Sequence, residues 1–524
     1  MGIAALRAGE KASGRAAVTS KWTIFFTVLL GSLMGSIDTS VVNVALVHIQ
    51  ATYGVTTDEV AWVVTSYLIT LVIVMPLTAW LSSVLGRKRF YLLSVMLFTG
   101  ASALCGMSRT LWQLLLFRCI QGLGGGAVRP IAQAIMWETF PQEERGQAMG
   151  LFGMIVLLGP AIGPLLGGWL TDNYTWPWIF FVNLPVGAVA LLLGARFIED
   201  PPYMRARPVE RVDAVGIGLL AVGLASFQIA LQEGERNAWF QSAFITALGL
   251  IAVTTLVAFV VWELRIHAPA VNLRIFQNVA FSAATAISTI NGLAMFGVLI
   301  MLPLFLQNLL GYDATQAGLA LMPRALTMVF LMPIFGALYN RLGVYVMVPT
   351  GLVLGAAAGL AMGRFTLDTG PLQILAPQVI QGIAFAMMWV PLATAALATI
   401  PRALMQSATG LSNLVWQLGG SLGTALVVAL FDRRFATASA HLIRYASPYN
   451  PTFMRWWQTY EVGLAVRGSN PWVAHYQALA VLHLFFSQQA SVIAFEYVFM
   501  LMGAGMAFCL PLVLLFRRGV SPRG

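Results

Sequence analysis

Charged side chains are scarce in the apolar segments of this 524-residue chain, so the few that occur there are the first candidates for chemistry. Asp38 lies well inside one apolar segment, Glu138 near the end of another and Glu496 about two turns into a third. A carboxyl group removed from water holds its proton more tightly, and a neighbouring cation promotes release of that proton. Arg118 lies within roughly one helical turn of Asp38 in depth, at 1.5 Å per residue. These four residues predict a proton-coupling site.

The alternative for Asp38 and Arg118 is a structural ion pair that never exchanges a proton. Arg118 and Arg129 are 11 residues apart, so they share one helix face with Gly122 and Gly125. That face is small and cationic, which suits contact with a substrate as well as with Asp38. The residues alone leave both interpretations open.

The elements that position these residues are apolar helices. The chain is 59% hydrophobic and only 10% charged, whereas a soluble domain has about 25% charged residues. Many apolar runs reach about 20 residues, the length of a helix that crosses a bilayer, and they lack the strict alternation of a β-barrel. The net charge of +10 is therefore interpreted as a membrane-orientation signal and not as a nucleic-acid surface. The composition predicts an all-α membrane protein.

Fourteen transmembrane helices are predicted from the apolar runs. They lie near residues 22–48, 58–82, 89–107, 111–136, 147–171, 176–196, 213–231, 240–263, 279–306, 316–339, 344–364, 371–397, 408–431 and 489–516. Basic residues concentrate on the side that holds both chain ends, among them Lys21, Arg87, Lys88, Arg89, Arg205, Arg207, Arg211, Arg517 and Arg518. Because cytoplasmic loops carry an excess of Lys and Arg, both termini are predicted to be cytoplasmic.

A weak internal repeat divides the chain into two halves. Gln121-Gly122 in the fourth span recurs as Gln381-Gly382 in the twelfth, 260 residues later, and the turn at Gly86 recurs at Gly343, 257 residues later. Two six-helix halves separated by two inserted helices explain both offsets, and repeats of this kind place a substrate pathway at their interface. The predicted units are a cytoplasmic tail (1–21), an N-terminal half (22–196), an inserted helix pair (213–263), a C-terminal half (279–516) with a periplasmic loop (432–488), and a second cytoplasmic tail (517–524).

Three segments carry a resemblance to a known family. Residues 37–46 resemble the first-span signature of the fourteen-span drug:H+ antiporter branch of the major facilitator superfamily. Residues 159–168 resemble the antiporter motif of its fifth span, and residues 176–187 resemble the start of its sixth. Four positions depart from the family pattern: Val47 stands where a Pro is usual, Ala79 where a Gly is usual, Ser83 where an Asp is usual, and Trp416 where relatives often carry Arg.

The resemblance implies a major facilitator fold and proton-coupled export of hydrophobic drugs or toxic compounds. The length and the long loop before the last span are most similar to EmrB-type multidrug efflux pumps. Such pumps sit in the cell inner membrane and work with a periplasmic, EmrA-like adaptor and an outer-membrane channel. Besides the proton-coupling residues, the predicted site comprises a substrate pathway (Asn43, Gln121, Arg129, Asn291, Gln307, Arg324, Asn413, Trp416), a conformational motif (Gly159, Pro160, Gly163, Pro164, Gly167, Gly168) and a cytoplasmic gate (Gly86, Arg87, Arg341, Gly343).

Other functional classes find little support in the sequence. No zinc-protease, nucleophile-elbow or phosphate-loop motif occurs, so an enzyme or an ATP-driven pump is disfavoured. No cofactor, metal site or nucleic-acid partner is predicted. A dedicated exporter or a symporter of one metabolite with the same fold stays open. For residues 432–488, both an interfacial hairpin with Trp anchors and a docking surface for a periplasmic partner stay open.

Overall fold

The structure, a computed structural model, describes four segments of the chain: residues 20–200, 212–267, 269–467 and 470–518. Every regular element in these segments is helical. Three basic residues used in the orientation argument, Arg205, Arg207 and Arg211, lie outside the described segments, as do most of the two predicted tails.

The described segments contain fifteen α-helices and four short 3₁₀ helices. The α-helices are α1 (Lys21–Tyr53), α2 (Thr57–Leu85), α3 (Arg87–Gly106), α4 (Leu111–Thr139), α5 (Arg145–Asn173), α6 (Trp178–Phe197, interrupted at Val182), α7 (Ala214–Glu233), α8 (Ala243–Arg265), α9 (Val279–Asn308), α10 (Ala314–Leu342), α11 (Val344–Met362), α12 (Pro371–Ala398), α13 (Met405–Ile443), α14 (Pro451–Val466) and α15 (Pro471–Phe508). The 3₁₀ helices are Trp239–Gln241, Leu273–Gln277, Arg402–Leu404 and Leu510–Arg518.

Thirteen helices in the described segments are long and apolar enough to cross a membrane. Helix α4 is not among them, although its 29 residues are sufficient in length. Its composition is more polar because Arg118, Gln121, Arg129 and Gln133 all lie on it. With α4 counted, α1 to α13 and α15 correspond to the fourteen predicted spans. The prediction of an all-α membrane fold is confirmed.

Local signals in the sequence start and end the helices. Thr56 and Glu59 form a capping box at the start of α2, which satisfies backbone N–H groups that have no partner in the first turn. Gly86 and Gly343 end α2 and α10 with φ values of +80° and +69°. Glycine adopts such a backbone conformation without strain. The two turns are equivalent in the repeat, and both lead directly into the next helix.

The spanning helices define two sides of the molecule. The side that carries Lys21 and the turns at Gly86 and Gly343 is called the Lys21 side. The opposite side, which carries helix α14, is called the α14 side.

The repeat predicted from the fourth and twelfth spans extends to helix packing. In each half, two glycines of one helix lie against the first helix of that half, so close that an added Cβ atom would clash. The close contacts are Gly159 with Ser36 and Gly163 with Ser40 in the first half, and Gly419 with Thr289 and Gly423 with Leu293 in the second. The glycines are 260 residues apart and their partners are 253 residues apart. By this offset, Asn291 of α9 occupies the position that Asp38 occupies in α1.

The inserted helices α7 and α8 pack against each other, and α7 also packs against α2 and α13. The contact with α13 includes a buried hydrogen bond of 3.0 Å from Gln228 Nε2 to Ser421 Oγ. Since α2 belongs to the first half and α13 to the second, the inserted pair bridges the two halves.

The two halves meet closely on the Lys21 side. Helices α5 and α10 approach so tightly that a Cβ atom at Gly146 would lie 2.6 Å from the Gly336 carbonyl oxygen. Helix α13 is linked to the first half by a hydrogen bond from Gln406 Nε2 to Ser82 Oγ of α2. The pathway between the halves is therefore closed on the Lys21 side.

Most of the segment 432–488 is helical. Helix α13 continues to Ile443, and α15 begins at Pro471, well before the span predicted from residue 489. Helix α14 packs on α15 through aromatic contacts, including Trp456 with Phe485 at 5.5 Å between ring centroids.

Candidate functional site

Asp38 lies at the centre of a polar cluster formed by three helices. Its carboxylate is fully buried, and Oδ2 accepts a 2.7 Å hydrogen bond from Arg118 Nη1 of α4. Oδ1 accepts hydrogen bonds from Gln121 Nε2 at 2.9 Å and from Asn183 Nδ2 of α6 at 3.1 Å. The structure thus joins Asp38 to Arg118, in agreement with their similar depth. Both carboxylate oxygens therefore accept hydrogen bonds, one from the arginine and the other from two amide side chains.

Arg118 is held by further contacts around the ion pair. Its Nε donates to the Val63 carbonyl oxygen at 3.1 Å, and Nη1 also donates to Gln121 Oε1 at 2.7 Å. The guanidinium lies 4.3 Å from the centre of the Tyr67 ring, a cation–π contact. These contacts come from α2 and α4, so the ion pair is anchored to the first half alone.

A large cavity of about 1260 Å³ lies between the halves and reaches the guanidinium of Arg118. It extends from Arg129 and Arg324 to Glu235 and Arg236, which are exposed near the α14-side end of α7. The cavity exceeds the range of about 300–1,000 Å³ that is usual for small-molecule sites. Together with the closed Lys21 side, its position defines a state that is open on the α14 side.

Two other arginines line this cavity without a carboxylate partner among the described residues. Arg129 Nη2 donates to Ser36 Oγ at 2.7 Å. Arg324 of α10 is 4% exposed, and its one hydrogen bond to another described residue is a long contact of 3.4 Å from Nη1 to Gln381 Oε1. Arg324 thus lies in the wall of the cavity and is buried.

Four predicted pathway residues, Asn43, Asn291, Asn413 and Trp416, line the large cavity or a smaller pocket. Asn43 lines the large cavity, where its side chain donates only to the Thr39 carbonyl oxygen at 3.2 Å. A small pocket of about 40 Å³ lies nearer the Lys21 side and is lined by Asn291, Asn413 and Trp416. Asn291 Oδ1 and Trp416 Nε1 are buried there without a hydrogen-bond partner.

The fifth-span motif forms the contact between α5 and α1. A Cβ atom at Gly159 or Gly163 would lie 2.4 Å from Ser36 or Ser40, whereas one at Gly168 would meet no atom within 4 Å. Gly167 lies against Val41, and both prolines of the motif, Pro160 and Pro164, line the large cavity. The motif therefore has one face on the helix that carries Asp38 and another on the cavity.

The predicted gate residues all lie on the Lys21 side. Arg87 Nη2 pairs with Glu138 Oε2 at 2.9 Å, so Glu138 belongs to this cluster and not to the cluster around Asp38. Asp200 Oδ1 accepts from the backbone N–H of Lys88 at 2.7 Å, which supplies an acid beside the turn where Ser83 replaces the usual Asp. Arg341 and Gly343 lie at the end of α10; Arg341 is exposed.

Two predicted residues lie away from the cavity. Gln307 is exposed near the α14-side end of α9. Glu496 lies on α15, partly buried, beside the contact of that helix with Gly363, and does not line the cavity. The structure brings neither residue to Asp38.

Three residues that the sequence analysis did not select contribute to the site. Asn183 donates to Asp38, Tyr67 stacks on Arg118, and Gln133 accepts a 2.8 Å hydrogen bond from Asn413 Nδ2 across the two halves. Asn183 could have been selected from the sequence, because it is a polar residue within the family-like segment 176–187. Nothing in the sequence distinguishes Tyr67 from other aromatic residues.

No group of three His, Cys, Asp or Glu side chains suitable for a metal ion occurs in the described segments. The three cysteines are free. The chemistry available at the site is therefore that of a carboxylate, three guanidinium groups and an apolar wall.

Comparisons with known proteins agree with this architecture. The family model described as Major Facilitator Superfamily matches residues 28–424. The chain is 33% identical to the multidrug export protein EmrB of Escherichia coli K12 over 449 residues, which cover 85% of this chain and 87% of that protein. It is also 33% identical over 423 residues to EmrB of Haemophilus influenzae, with coverages of 80% and 82%. The fold is similar to that of the proton:xylose symporter XylE, with a TM-score of 0.60 at 14% identity over 94% of this chain and 96% of that one.

Proposed function

We propose that the chain, which belongs to the major facilitator superfamily, exports hydrophobic drugs or other toxic compounds in exchange for protons. Its similarity to two proteins named for multidrug export supports the direction of transport and the substrate class. The observation that carries proton exchange is the buried Asp38 carboxylate, paired with an arginine that faces the cavity. The chain acts as a carrier and not as an enzyme.

Proton exchange follows from the chemistry of the Asp38–Arg118 pair. A charged carboxylate is costly near the centre of a bilayer, at about 2.5–3.5 kcal/mol on insertion scales. Asp38 offsets this cost by pairing with Arg118 or by taking a proton. Protonation removes the negative charge that pairs with Arg118 and so weakens the hold on its guanidinium, which then depends on its contacts with Val63, Gln121 and Tyr67. Proton binding at Asp38 is thereby linked to the conformation of the pathway.

Alternating access requires the contacts on the Lys21 side to break. The hydrogen bonds from Gln406 to Ser82 and from Asn413 to Gln133 join the two halves and belong to the outward-open state. The close approach of α5 and α10 at Gly146 also has to open. Glycines allow this approach because they place no side chain between the helices.

We place the Lys21 side in the cytoplasm and the α14 side in the periplasm of an inner membrane. The excess of Lys and Arg on the Lys21 side supports this orientation. In this orientation the outward-open cavity faces the periplasm, where an exporter releases its substrate.

We propose that α14 and the first part of α15 bind a periplasmic, EmrA-like adaptor that leads to an outer-membrane channel. Large apolar side chains are exposed on these helices, including Val466 at 82%, Trp472 at 75% and Tyr476 at 62%. Clustered exposed apolar residues are typical of protein-binding or membrane-binding surfaces.

Everted membrane vesicles test the export proposal. With an acidic lumen, a panel of lipophilic dyes is added while dye uptake and lumenal pH are followed together. Wild type is expected to take up dye and to dissipate the gradient, and Asp38→Asn is expected to abolish both. Asp172→Asn is the matched control, because Asp172 is exposed near the end of α5. Coupled exchange that persists in Asp38→Asn would refute the role of Asp38.

A further inference from the structure

The central cavity is bordered by two lateral gaps between the halves on the α14 side. One gap lies between α5 and α10 and the other between α2 and α13, because these two helix pairs join the halves on the Lys21 side. All four helices are long and apolar enough to cross the membrane, so each gap faces lipid unless another part of the protein fills it. The contents of the two gaps therefore determine whether the cavity is separated from the bilayer.

The gap between α2 and α13 is filled by the inserted helix α7, which packs against both helices. Gln228 Nε2 of α7 donates its buried hydrogen bond to Ser421 Oγ of α13, and Ser421 lines the cavity. Leu231, one turn further along α7, lines the cavity itself. Beyond the end of the helix, Arg236 Nε lies 3.7 Å from Asp58 Oδ1 of α2. Helix α7 thus forms the cavity wall on this side.

The helices α5 and α10 touch in their Lys21-side halves and diverge in their α14-side halves. A Cβ atom at Gly150 of α5 would lie 2.5 Å from the Met332 carbonyl oxygen of α10, so no space remains between the helices there. Nearer the α14 side, a Cβ atom added at Gly168 of α5 or at Gly318 of α10 would meet no atom within 4 Å, and Gly318 lines the cavity. The second gap therefore widens toward the α14 side.

Large apolar side chains of the diverging halves line the cavity and are also exposed. Leu165 of α5 is 72% exposed, and Leu319 and Leu326 of α10 are 57% and 47% exposed. The cavity alone does not explain this exposure, since the residues with which α2 and α13 line the same cavity are all buried or half-buried. At the gap between α5 and α10, the cavity is therefore continuous with the lipid-facing surface of the helices.

The gap between α5 and α10 lies at the depth of one leaflet. Leu319 and Leu326 are about 8 and 18 Å from the α14-side end of α10, at 1.5 Å per residue. Helix α10 is about 43 Å long and the hydrocarbon core is about 30 Å thick, so the core of a centred bilayer begins about 7 Å from that end. Both side chains thus lie among the acyl chains of the leaflet on the α14 side.

The wall of this gap matches the chemistry of an acyl chain. All the described residues that α5 contributes to the cavity lining are apolar. Thr315 and Arg324 are the polar residues in the α10 lining; Thr315 is at the end of the helix and Arg324 is buried. An extended peptide in such a gap would leave backbone groups without hydrogen-bond partners, whereas a hydrocarbon chain needs none.

We propose that the cavity has one lateral opening to the bilayer, between the α14-side halves of α5 and α10, and that a phospholipid acyl chain enters it. The lipid belongs to the leaflet on the α14 side, and its headgroup stays at the membrane surface. It forms part of the cavity wall and is not transported. Helix α7 prevents the same entry between α2 and α13, which gives the inserted pair a sealing role. The proposal rests on the membrane-spanning fold and does not depend on the proposed export function.

Photocrosslinking of the full-length protein in proteoliposomes of dioleoylphosphatidylcholine tests the proposal. The photoreactive residue p-benzoylphenylalanine replaces one residue at a time, and mass spectrometry of the intact irradiated protein detects the phospholipid adduct. The turns at Gly86 and Gly343 are 257 residues apart, so Leu68 of α2 is equivalent to Ala325 of α10, and both residues line the cavity. We expect adducts at Ala325 and none at Leu68. Val253, exposed on α8, gives the adduct level of direct lipid contact.

A second variant narrows the opening without a clash. Gly318→Trp fills space in which an added Cβ atom meets nothing, and it is expected to abolish the adduct at Ala325 and to leave the adduct at Val253 unchanged. Gly218→Trp is the matched control, because an added Cβ atom at this exposed position of α7 also meets nothing within 4 Å. An unchanged midpoint of thermal unfolding in both variants shows that the fold is intact.

Each alternative result overturns a stated part of the proposal. If Ala325 forms no lipid adduct while Val253 does, no acyl chain enters the cavity. If Ala325 instead crosslinks to a second copy of the chain, the gap is a protein interface. Equal adducts at Leu68 and Ala325 would refute the seal formed by α7, and an adduct at Ala325 that persists in Gly318→Trp would refute entry between α5 and α10. These results are independent of dye and proton exchange, so failure of the export proposal is detected separately in vesicles.

Discussion

The contact between α1 and α5 predicts how single methyl groups affect the transporter. At Gly163, an added Cβ would lie 2.4 Å from Ser40 Cβ and 2.5 Å from Ser40 Oγ. Ordinary van der Waals contact begins at 3.4 Å, so Gly163→Ala forces the helices apart or displaces the serine. Overpacking of this kind costs about 1–3 kcal/mol. Because Ser40 is two residues from Asp38, the displacement also reaches the proposed proton site.

The structure predicts that Gly163→Ala is rescued and that Gly159→Ala is not. Ser40→Gly removes both side-chain atoms that the Gly163→Ala methyl group meets, and leaves the Val41 nitrogen at 3.3 Å. At Gly159, the backbone carbon and oxygen of Ser36 lie 2.5 and 2.6 Å from the added Cβ, so Ser36→Gly leaves the clash in place. Gly168→Ala is the control, because nothing lies within 4 Å.

Thermal unfolding of the purified variants in detergent, together with dye exchange in vesicles, tests this prediction. Gly163→Ala and Gly159→Ala are expected to lower the midpoint of unfolding and the rate of exchange, and Gly168→Ala is expected to leave both near wild type. The Ser40→Gly/Gly163→Ala double variant is expected to recover most of both losses. Equal tolerance of alanine at Gly159 and Gly168, or no rescue by Ser40→Gly, would refute the close contact of α1 with α5.

Two further predictions concern the gate and the cavity mouth. Gln406→Ala and Asn413→Ala each remove a hydrogen bond between the halves, worth about 1 kcal/mol, and are expected to shift molecules toward the inward-open state. Energy transfer between labels at the α14-side ends of α4 and α12 measures the distance between the halves, with Asn43→Ala as the control. An unchanged distance in Gln406→Ala and Asn413→Ala would contradict the prediction. Partial desolvation at the mouth of the cavity, reinforced by the nearby Asp432, raises the pKa of Glu235 above its usual 4.5. Since the folded state then binds this proton more tightly than the unfolded state, its stabilising effect is complete at low pH and is lost as pH rises above about 4.5 through the raised pKa. Asp432→Asn is expected to increase the thermal midpoint at neutral pH more than at pH 4, and an equal effect at both pH values would contradict this account.

The pairing of Asp38 with Arg118 was accessible from the sequence because helical rise is constant. Counting residues from the segment ends places both side chains at similar depth without any knowledge of packing. The donation from Asn183 was not accessible, since it depends on how α6 is rotated against α1. Gln307 shows the converse: it was predicted to line the substrate pathway, but its side chain is exposed near the end of α9.

Apolar runs predict where a helix lies in lipid, and not where the helix ends. The thirteenth and fourteenth spans were assigned to 408–431 and 489–516, whereas α13 extends to Ile443 and α15 begins at Pro471. Residues beyond the apolar run continue the helix because the backbone hydrogen bonds form within the helix and do not require lipid, and the first part of α15 also packs on α14.

The equivalence of Asp38 and Asn291 was hidden because the first and ninth spans share no motif. The repeat was detectable in the fourth and twelfth spans, where Gln121-Gly122 and Gln381-Gly382 are identical. Only the glycine contacts fix the offset of 253 residues for the first helix of each half. The two helices thus have equivalent positions in space at Asp38 and Asn291 although their sequences there are not similar.

Proton binding by Asp38 is the central claim, and pH-difference infrared spectroscopy of the purified protein tests it without any substrate. The account predicts a carbonyl band of a protonated carboxyl group that appears on acidification in wild type and in Asp172→Asn, and that is missing in Asp38→Asn. If the spectra of wild type and Asp38→Asn are identical across the pH range, Asp38 is a permanent structural partner of Arg118 and does not carry the proton.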